Sequence, residues 1–166
     1  MQGCRKMFHN KLDDVDVKIL NILQKDASTP IKEIAKEIKL SVSPCWNRIQ
    51  KLQTAGFIKH KTAILNYEKI GYSNRTFIFI KTSQHKQNWS ENFKKYILKQ
   101  SQVIGLYRIS GTYDYIIDVL SYNMKDFDKF YQNLINNVEV FEVTSSFIME
   151  TMKETTEIPI LNNINH

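Results

Sequence analysis

Apolar residues between positions 12 and 55 recur every three or four residues, a spacing that predicts three short helices. The stripe of the first helix consists of Leu12, Val15, Ile19, Ile22 and Leu23. Thr29 is placed to cap the second helix, and Pro30 suits its first turn. After a tight turn, Ser43 and Pro44 are the expected cap and first residue of the third helix, and Gly56 is placed to end it.

A short basic segment follows the third helix. Residues 57–65 are apolar at both ends and carry Lys59, His60 and Lys61 in the middle, a pattern typical of a hairpin or wing. Together with the three helices, this segment predicts a winged helix-turn-helix domain over residues 12–66. A three-helix bundle with another role is the alternative.

The second part of the chain has the pattern of a mixed α+β domain. Runs of β-forming residues predict strands over residues 75–82, 103–109, 114–121 and 140–151. Amphipathic spacing predicts helices over residues 89–97 and 124–138. The order β-α-β-β-α-β predicts a C-terminal ferredoxin-like sandwich over residues 74–159, joined to the first domain by a linker at 67–73. Residues 1–11 and 160–166 are expected to form terminal tails.

The helices of such a sandwich cover one face of the sheet and leave the other face open. The strand segments carry enough aliphatic and aromatic residues for this second face to be apolar as well. An apolar surface of that size is rare on a monomer, so we expect the chain to associate with itself.

The charge is distributed unevenly between the two parts. Residues 1–66 carry 12 Lys/Arg and 6 Asp/Glu, whereas residues 67–166 carry 11 of each, so the whole net charge of +6 lies in the first part. Residues 38–67 contain no acid and five basic side chains, Lys39, Arg48, Lys51, Lys59 and Lys61. Such a block favours a surface that binds a polyanion, although a solvated basic face has the same composition.

Composition excludes several classes of protein. With 42% hydrophobic and 24% charged residues, the chain is typical of a globular rather than a disordered protein. It has no apolar stretch of membrane-spanning length. Its two cysteines, Cys4 and Cys45, are too few for a disulfide framework and predict a reducing cytoplasm. The histidines have no zinc-site spacing, so we expect no metal and no cofactor.

The third predicted helix and the wing carry the candidate DNA contacts. Candidates for base contact in the groove are Ser43, Trp46, Asn47 and Gln50, and those for the backbone or bases are Arg48, Lys51, Lys59 and Lys61. Asn47 and Gln50 can each form two hydrogen bonds to adenine. Trp46 could instead pack within the domain, and Arg48 could form a surface ion pair. Cys45 is expected to be buried behind the helix, with a redox-active thiol as the alternative.

A second candidate site is the turn between two strands of the C-terminal domain. The turn comprises Gly111, Thr112, Tyr113 and Asp114. It offers backbone N–H groups for the carboxylate of an α-amino acid and a carboxylate for its ammonium group. Glycine and aspartate are also ordinary turn residues, so the pattern equally fits a plain hairpin.

Several motifs, in matching order and spacing, resemble those of the Lrp/AsnC or "feast/famine" transcriptional regulators. They include Leu12-Asp13 with Asp16, residues 40–45 (LSVSPC), Arg48 with Leu52 and Gly56, residues 110–115 (SGTYDY), and Met152-Lys153 with Thr155. The resemblance covers roughly residues 11–159. Within the family, residues 43–46, 65–71, 144–147 and 155–159 are most similar to those of cysteine-responsive activators of cysteine detoxification.

The resemblance implies a nucleoid-associated regulator that binds double-stranded DNA and takes an amino acid, cysteine or another, as its effector. A symmetric homodimer predicts a pseudo-palindromic operator, and the family often assembles further into octamers through the C-terminal domain. The resemblance also implies an effector pocket between dimers, closed by Met124, Phe147, Ile148 and Met149. The last-strand residues could instead be interface core.

Two other functions are weighed against this one. Some relatives of the fold decarboxylate haem precursors, but the chain has no nucleophile elbow, phosphate loop or metal motif. For such chemistry its C-terminal domain offers only His85, Arg75 and Arg108, so no enzymatic activity is expected. An architectural DNA-binding protein without an effector is the second alternative.

Overall fold

The computed structural model describes residues 12–83 and 87–160 and divides them into two compact units. The first unit contains residues 12–64 and 153–160, and the second contains residues 65–152. The contacts therefore group residues 153–159 with the first unit, whereas the sequence analysis assigned them to the second domain. The expected tail at 1–11 and most of that at 160–166 lie outside the described residues, as do Cys4 and His85.

The first unit is built from three helices: α1 (Asp14–Lys25), α2 (Ile31–Glu37) and α3 (Val42–Thr54). A capping box begins α1, in which the Asp13 carboxylate accepts from the N–H of Asp16 at 2.7 Å and Asp16 accepts in return from Asp13. The buried core consists mainly of Ile19, Leu23, Ile34, Ala35, Cys45, Ile49 and Leu52. The predicted three-helix arrangement is therefore present.

Two predicted helix caps are wrong by one or two residues. The cap of α2 is Pro30, because the hydroxyl of Thr29 donates instead to the carbonyl of Asp26 and closes the turn after α1. The cap of α3 is Ser41 rather than Ser43, since the chain reverses earlier than expected, at Lys39. At the other end, Gly56 has φ +80° directly after the cap residue of α3, as predicted.

The expected wing hairpin is absent, because residues 59–66 contain no strand. The apolar residues at the end of this segment, Ile64 and Leu65, are exposed and so give a hairpin no apolar anchor there. An isolated two-stranded hairpin is only marginally stable in water. Lys59, His60 and Lys61 consequently lie in exposed, irregular chain.

The second unit has the predicted ferredoxin-like topology. Its elements are α4 (Tyr67–Ile70), β1 (Asn74–Lys81), α5 (Gln87–Ile97), β2 (Val103–Arg108), β3 (Tyr115–Ser121), α6 (Met124–Asn137) and β4 (Glu142–Phe147). The strands form one sheet in the order β2-β3-β1-β4, and every neighbouring pair is antiparallel. A short helix, α4, occupies part of the predicted linker, and the last strand ends at Phe147 instead of residue 151.

The core of the second unit lies between the sheet and the two long helices. Ile78 and Ile80 of β1 and Ile117 of β3 are fully buried against Phe93 of α5 and Leu134 of α6. Because side chains alternate along a strand, the intervening residues point to the helix-free face. This face, the open face below, carries Arg75, Phe77, Phe79, Ile116, Asp118, Glu142 and Thr144. Among the described residues, no helix is long and apolar enough to cross a bilayer.

Candidate DNA-binding surface and effector site

The four candidate base-contacting residues lie on one face of α3. Ser43, Trp46, Asn47 and Gln50 follow each other at spacings of three, one and three residues, which places them within about 100° of the helix circumference. Ser43 and Asn47 are exposed, Gln50 is half-buried, and the Trp46 side chain is 49% exposed. The indole of Trp46 therefore lies at the surface of this face.

The opposite face of α3 holds the helix in the domain. Cys45, Ile49 and Leu52 are buried there, and Cys45 has no exposed surface. Burial raises the pKa of the Cys45 thiol, because it disfavours the charged thiolate. The redox alternative needs a lowered pKa, so the direction of this shift and the burial of Cys45 favour its structural role.

Arg48 is engaged in an ion pair with the start of α1. Its Nη1 donates to Oδ2 of Asp13 at 2.6 Å and to Oδ1 of Asp16 at 2.8 Å, and its side chain is 34% exposed. Hydrogen bonds from Arg48 to Asp13 and Asp16 raise the pKa of the guanidinium. The ion pair expected as the alternative for Arg48 is therefore present, with carboxylates that come from α1, outside the acid-free block, and contact of Arg48 with DNA stays a prediction.

The three candidate lysines are placed differently from Arg48. Lys51, Lys59 and Lys61 are all exposed, and none forms an ion pair within residues 12–83 and 87–160. Lys51 adjoins the face that carries Asn47, whereas Lys59 and Lys61 lie in the irregular segment after α3. These ammonium groups are available to an anion without the loss of a native contact.

A groove of about 480 Å³ runs beside the base-contacting face. It is lined by Leu12, Asp16, Pro44, Asn47, Arg48, Lys51, Leu52, Ala55 and Phe57. The ion pair of Arg48 with Asp16 forms part of its wall. The groove is therefore lined by residues from the start of α1 as well as by residues of α3.

In the second unit, the turn residues of the candidate effector site are held by hydrogen bonds. Gly111 has φ +127°, which favours glycine, and both Gly111 and Thr112 are exposed. The hydroxyl of Tyr113 is 3.2 Å from Oε1 of Glu142 and 3.1 Å from Oγ1 of Thr144, on the open face. Oδ2 of Asp114 accepts from the N–H of Thr82 at 2.8 Å, so this carboxylate also anchors the end of β1.

The other candidate effector residues are near the start of α6 and the end of β4. Met124 and Met149 are exposed, Met149 almost completely at 99%, and Ile148 is half-buried. Phe147 packs edge-on against Phe127 of α6, with ring centroids 4.8 Å apart. Phe147 therefore contributes to the edge of the core as well as to the surface.

These two groups of candidate residues lie at opposite ends of the sheet in one chain. The N–H of Asp114 donates to the carbonyl of Ile80, whereas the N–H of Ile148 donates to the carbonyl of Arg75. The two carbonyls are five positions apart along β1, a distance of about 17 Å. Because an amino acid is much shorter than this, one chain does not bring both groups to one ligand.

The open face contains a buried ion pair that sequence reasoning missed. Nε and Nη2 of Arg75 donate to the two carboxylate oxygens of Asp118, and the side chains are only 18% and 4% exposed. In the pairing of β1 with β3, Asp118 lies opposite Phe77, and Phe77 is two residues after Arg75 on β1. The enzyme alternative relied on Arg75, Arg108 and His85, but Arg75 is committed to this pair and His85 lies outside the described residues.

Sequence reasoning also missed Asp13 and Asp16 as partners of Arg48. Their spacing as cap and third residue of α1 was a usable signal, because a capping box places both carboxylates at one helix end. The distance of more than 30 residues to Arg48 concealed the contact. Among the described residues, no cluster of three His, Cys, Asp or Glu side chains is able to hold a metal ion.

Two family models match the chain, each to one of its two units. A model for a winged helix-turn-helix DNA-binding domain matches residues 12–59. A model for the Lrp/AsnC ligand binding domain matches residues 75–158, more than half of the chain. The chain belongs to the Lrp/AsnC family of transcriptional regulators. The predicted family and fold class are thereby confirmed, and the chain is a DNA-binding transcriptional regulator with a ligand-binding C-terminal domain.

Individual Lrp/AsnC relatives match along almost the entire chain. The DNA-binding transcriptional activator DecR of Escherichia coli K12 is 39% identical over 150 residues, which cover 90% of this chain and 99% of DecR. The glutamate uptake regulatory protein of Zymomonas mobilis is 35% identical over 150 residues, 90% of this chain and 92% of that protein.

Solved Lrp/AsnC-type structures have the same fold. The crystal structure of an AsnC family transcriptional regulator from Agrobacterium tumefaciens matches with a TM-score of 0.84 at 36% identity, covering 89% of this chain and 97% of that one. A transcriptional regulator from Neisseria meningitidis in complex with L-methionine matches with a TM-score of 0.85 at 28% identity, covering 89% and 96%.

Proposed function

We propose that this regulator reads its operator with the exposed face of α3 and responds to a small amino acid bound between copies of its C-terminal domain. The observation that carries the DNA-binding part is the clustering of Ser43, Trp46, Asn47 and Gln50 on one exposed helix face inside an acid-free block. In a helix-turn-helix, the first turns of the second helix enter the major groove. DNA binding is accompanied by a cytoplasmic, nucleoid-associated location.

The side chains of this face divide into two roles. Asn47 and Gln50 present amide groups that pair with N6 and N7 of adenine, and each such bidentate contact contributes about 1–3 kcal/mol of discrimination. Lys51, Lys59 and Lys61 neutralise phosphates and contribute affinity without sequence preference. Trp46 contacts a sugar or a thymine methyl group from the edge of the same face.

The operator is a pseudo-palindrome, because a symmetric dimer presents two copies of α3. The centres of the two half-sites are separated by one helical turn, about 34 Å, or by a multiple of it. The open face supplies the surface for self-association. Phe77, Phe79 and Ile116 make this face apolar, and a large apolar face is covered by a partner in most soluble proteins.

The effector site is composite and needs more than one copy of the chain. Its two halves, the turn Gly111–Asp114 and the group around Met124 and Ile148, are about 17 Å apart along β1 in one chain. A symmetric assembly, such as an octamer of four dimers, would bring the turn of one copy beside the other group of a second copy. The solved L-methionine complex of a relative supports an amino acid as the ligand class.

Binding across such an interface couples the ligand to DNA affinity. A ligand that stabilises one assembly changes the spacing of its DNA-binding units, and operator binding changes ligand affinity by the same factor. Cysteine is our first candidate ligand, because several motifs resemble cysteine-responsive members of the family.

The test combines two measurements on the intact chain. The melting temperature is measured with each of the twenty amino acids, and a real effector at 100 times its dissociation constant adds about 2.7 kcal/mol of stability. Fluorescence anisotropy then measures binding to a duplex selected from random sequences. The proposal is supported if one or a few amino acids raise the melting temperature and the same amino acids alter DNA affinity. DNA binding with no ligand response identifies an architectural protein instead.

A further inference from the structure

Lys39 has a backbone conformation that its side chain disfavours. It follows α2 with φ +57° and is the only residue other than glycine with positive φ in the part of the chain that the structure describes. The left-handed region is strained for residues that carry a Cβ atom, and glycine is the usual residue there.

The hydrogen bonds around Lys39 explain why the backbone adopts this conformation. The N–H of Leu40 donates to the carbonyl of Ala35 at 2.9 Å, and the N–H of Lys39 donates to that of Lys36 at 3.2 Å. This pattern closes the C-terminus of α2 and reverses the chain toward α3, and the residue at its pivot must be left-handed. The fold therefore requires the conformation of residue 39 but not a lysine.

The side chain of Lys39 makes no contact that offsets this strain. It is exposed, and its ammonium group forms no ion pair or hydrogen bond within residues 12–83 and 87–160. Lys36 and Glu37, the last two residues of α2, are also exposed. The fold thus explains the conformation but not the charged side chain, and strained backbone conformations cluster at functional positions.

The position of Lys39 suits contact with a phosphate. It lies two residues before Ser41, the cap of α3, and so directly precedes the helix end that enters the groove in our proposed function. The sugar-phosphate backbones border the groove on both sides, and residues that flank a recognition helix contact them. Lys39 also lies inside the acid-free block of residues 38–67.

We propose that Lys39 is a DNA-phosphate-binding residue of the helix-turn-helix turn, retained for its charge despite the strained backbone. This inference rests on the proposed DNA-binding function. The competing structural role is favourable interaction of the lysine charge with the C-terminus of α2. The two roles make opposite predictions for replacement by glycine.

The experiment compares Lys39→Gly, Lys39→Asn and Lys39→Arg in the full chain. Glycine and asparagine tolerate the left-handed conformation, so both variants keep the fold, and Lys39→Gly melts at the same temperature or a few degrees higher. Both variants lose DNA affinity, about tenfold or more for a dimer near 0.1 M salt. The slope of log K against log salt concentration becomes shallower by about 2, because each dimer loses two phosphate contacts. Lys39→Arg retains the wild-type affinity and slope.

Lys25→Gln is the matched control, because it removes a lysine from the last turn of α1 in the same unit. We expect it to leave affinity and slope unchanged. If Lys39→Gly lowers the melting temperature and leaves the slope intact, the structural role is correct and the inference is overturned. The inference is also overturned if Lys39→Gly and Lys39→Asn both bind DNA with wild-type affinity. Failure of the wild type to bind any duplex instead overturns the proposed function, and this inference with it.

Discussion

Arg48 and Asp16 join the middle of α3 to the start of α1, with Nη1 of Arg48 2.8 Å from Oδ1 of Asp16. Asp16 is also part of the capping box of α1, so one carboxylate serves both the helix start and the contact between helices. The arginine that the sequence offers as a DNA contact is thus also placed to position α3. Its charge is already balanced by two carboxylates.

Replacement of Arg48 separates positioning from phosphate binding. We expect Arg48→Gln to lower the free energy of unfolding by about 1 kcal/mol, because two carboxylates lose their partner. DNA affinity falls through misplacement of α3, while the slope of log K against log salt is unchanged. Urea unfolding and salt-dependent anisotropy measure the two effects.

Lys51→Gln is the control for this prediction, since Lys51 is exposed on the same helix and has no ion pair among the described residues. We expect Lys51→Gln to leave the free energy of unfolding unchanged and to make the slope of log K against log salt shallower by about 2 for a dimer. A shallower slope for Arg48→Gln with unchanged stability would show that Arg48 is a phosphate ligand after all.

Stability depends on pH through Asp13. Desolvation alone acts to raise the pKa of Asp13, but the hydrogen bonds from Asp16 N–H and Arg48 outweigh it and hold the pKa below its ordinary value of 3.8. The stabilising contribution is therefore complete above pH 3.8 and is lost as the pH falls through the lower folded-state pKa. Because Asp13 is half-exposed, the effect is below about 1 kcal/mol.

The measurement is urea unfolding between pH 7 and pH 2.5 for the wild type and Asp13→Asn. Asparagine is an equally good helix cap, so the variant keeps α1 and loses only the titrating group. We expect the variant to show a smaller loss of stability below pH 4. Identical pH profiles would mean that Asp13 does not contribute.

Asp114 has a structural and a ligand-binding role, which an isosteric substitution distinguishes. Asp114→Asn retains an oxygen to accept from Thr82 N–H and removes the charge that would bind an ammonium group. We expect its melting temperature to stay within a few degrees of wild type, while amino-acid affinity falls about tenfold or more. Operator binding without ligand is unchanged. A wild-type ligand titration in this variant excludes Asp114 from the site.

The buried pair of Arg75 and Asp118 makes the open face sensitive to single substitutions. Asp118→Ala leaves an uncompensated arginine on a largely buried surface and is expected to cost about 3 kcal/mol or more. The double variant Arg75→Met with Asp118→Leu recovers most of this loss, because it leaves no unpaired charge beside Phe77. Thermal unfolding measures the stability of the wild type, Asp118→Ala and the double variant, and sedimentation measures their assembly. A small loss of stability in Asp118→Ala would refute the structural role of the ion pair.

The helices, the strands and their order along the chain were predictable from local patterns of apolar and polar residues. The stripe that includes Ile19 and Leu23 and the alternation around Ile78 and Ile80 identify α1 and β1 without any long-range information. The winged helix-turn-helix was predicted correctly, but the hairpin expected after α3 was wrong, because the basic and apolar pattern does not reveal that the Ile64 side chain is exposed. Strand formation there would depend on tertiary contacts that the pattern does not encode.

The residues of the candidate sites were predictable from the sequence, but the long-range contacts that they make were not. The contact-face residues Ser43 and Asn47 follow from helical spacing alone, and they lie where that spacing puts them. The Arg48 ion pair joins residues that are 32 and 35 positions apart, a relationship that no local window contains. The strain at Lys39 likewise depends on how α2 ends, which the residue identity at 39 does not indicate.

Salt-dependent binding of the intact chain to its selected duplex tests the central claim most directly. With about four phosphates neutralised per protomer, by Lys39, Lys51, Lys59 and Lys61, log K of a dimer falls against log salt with a slope of roughly −7. Addition of the effector identified in the melting screen shifts these affinities. A slope near zero, or no binding in low salt, would contradict the account.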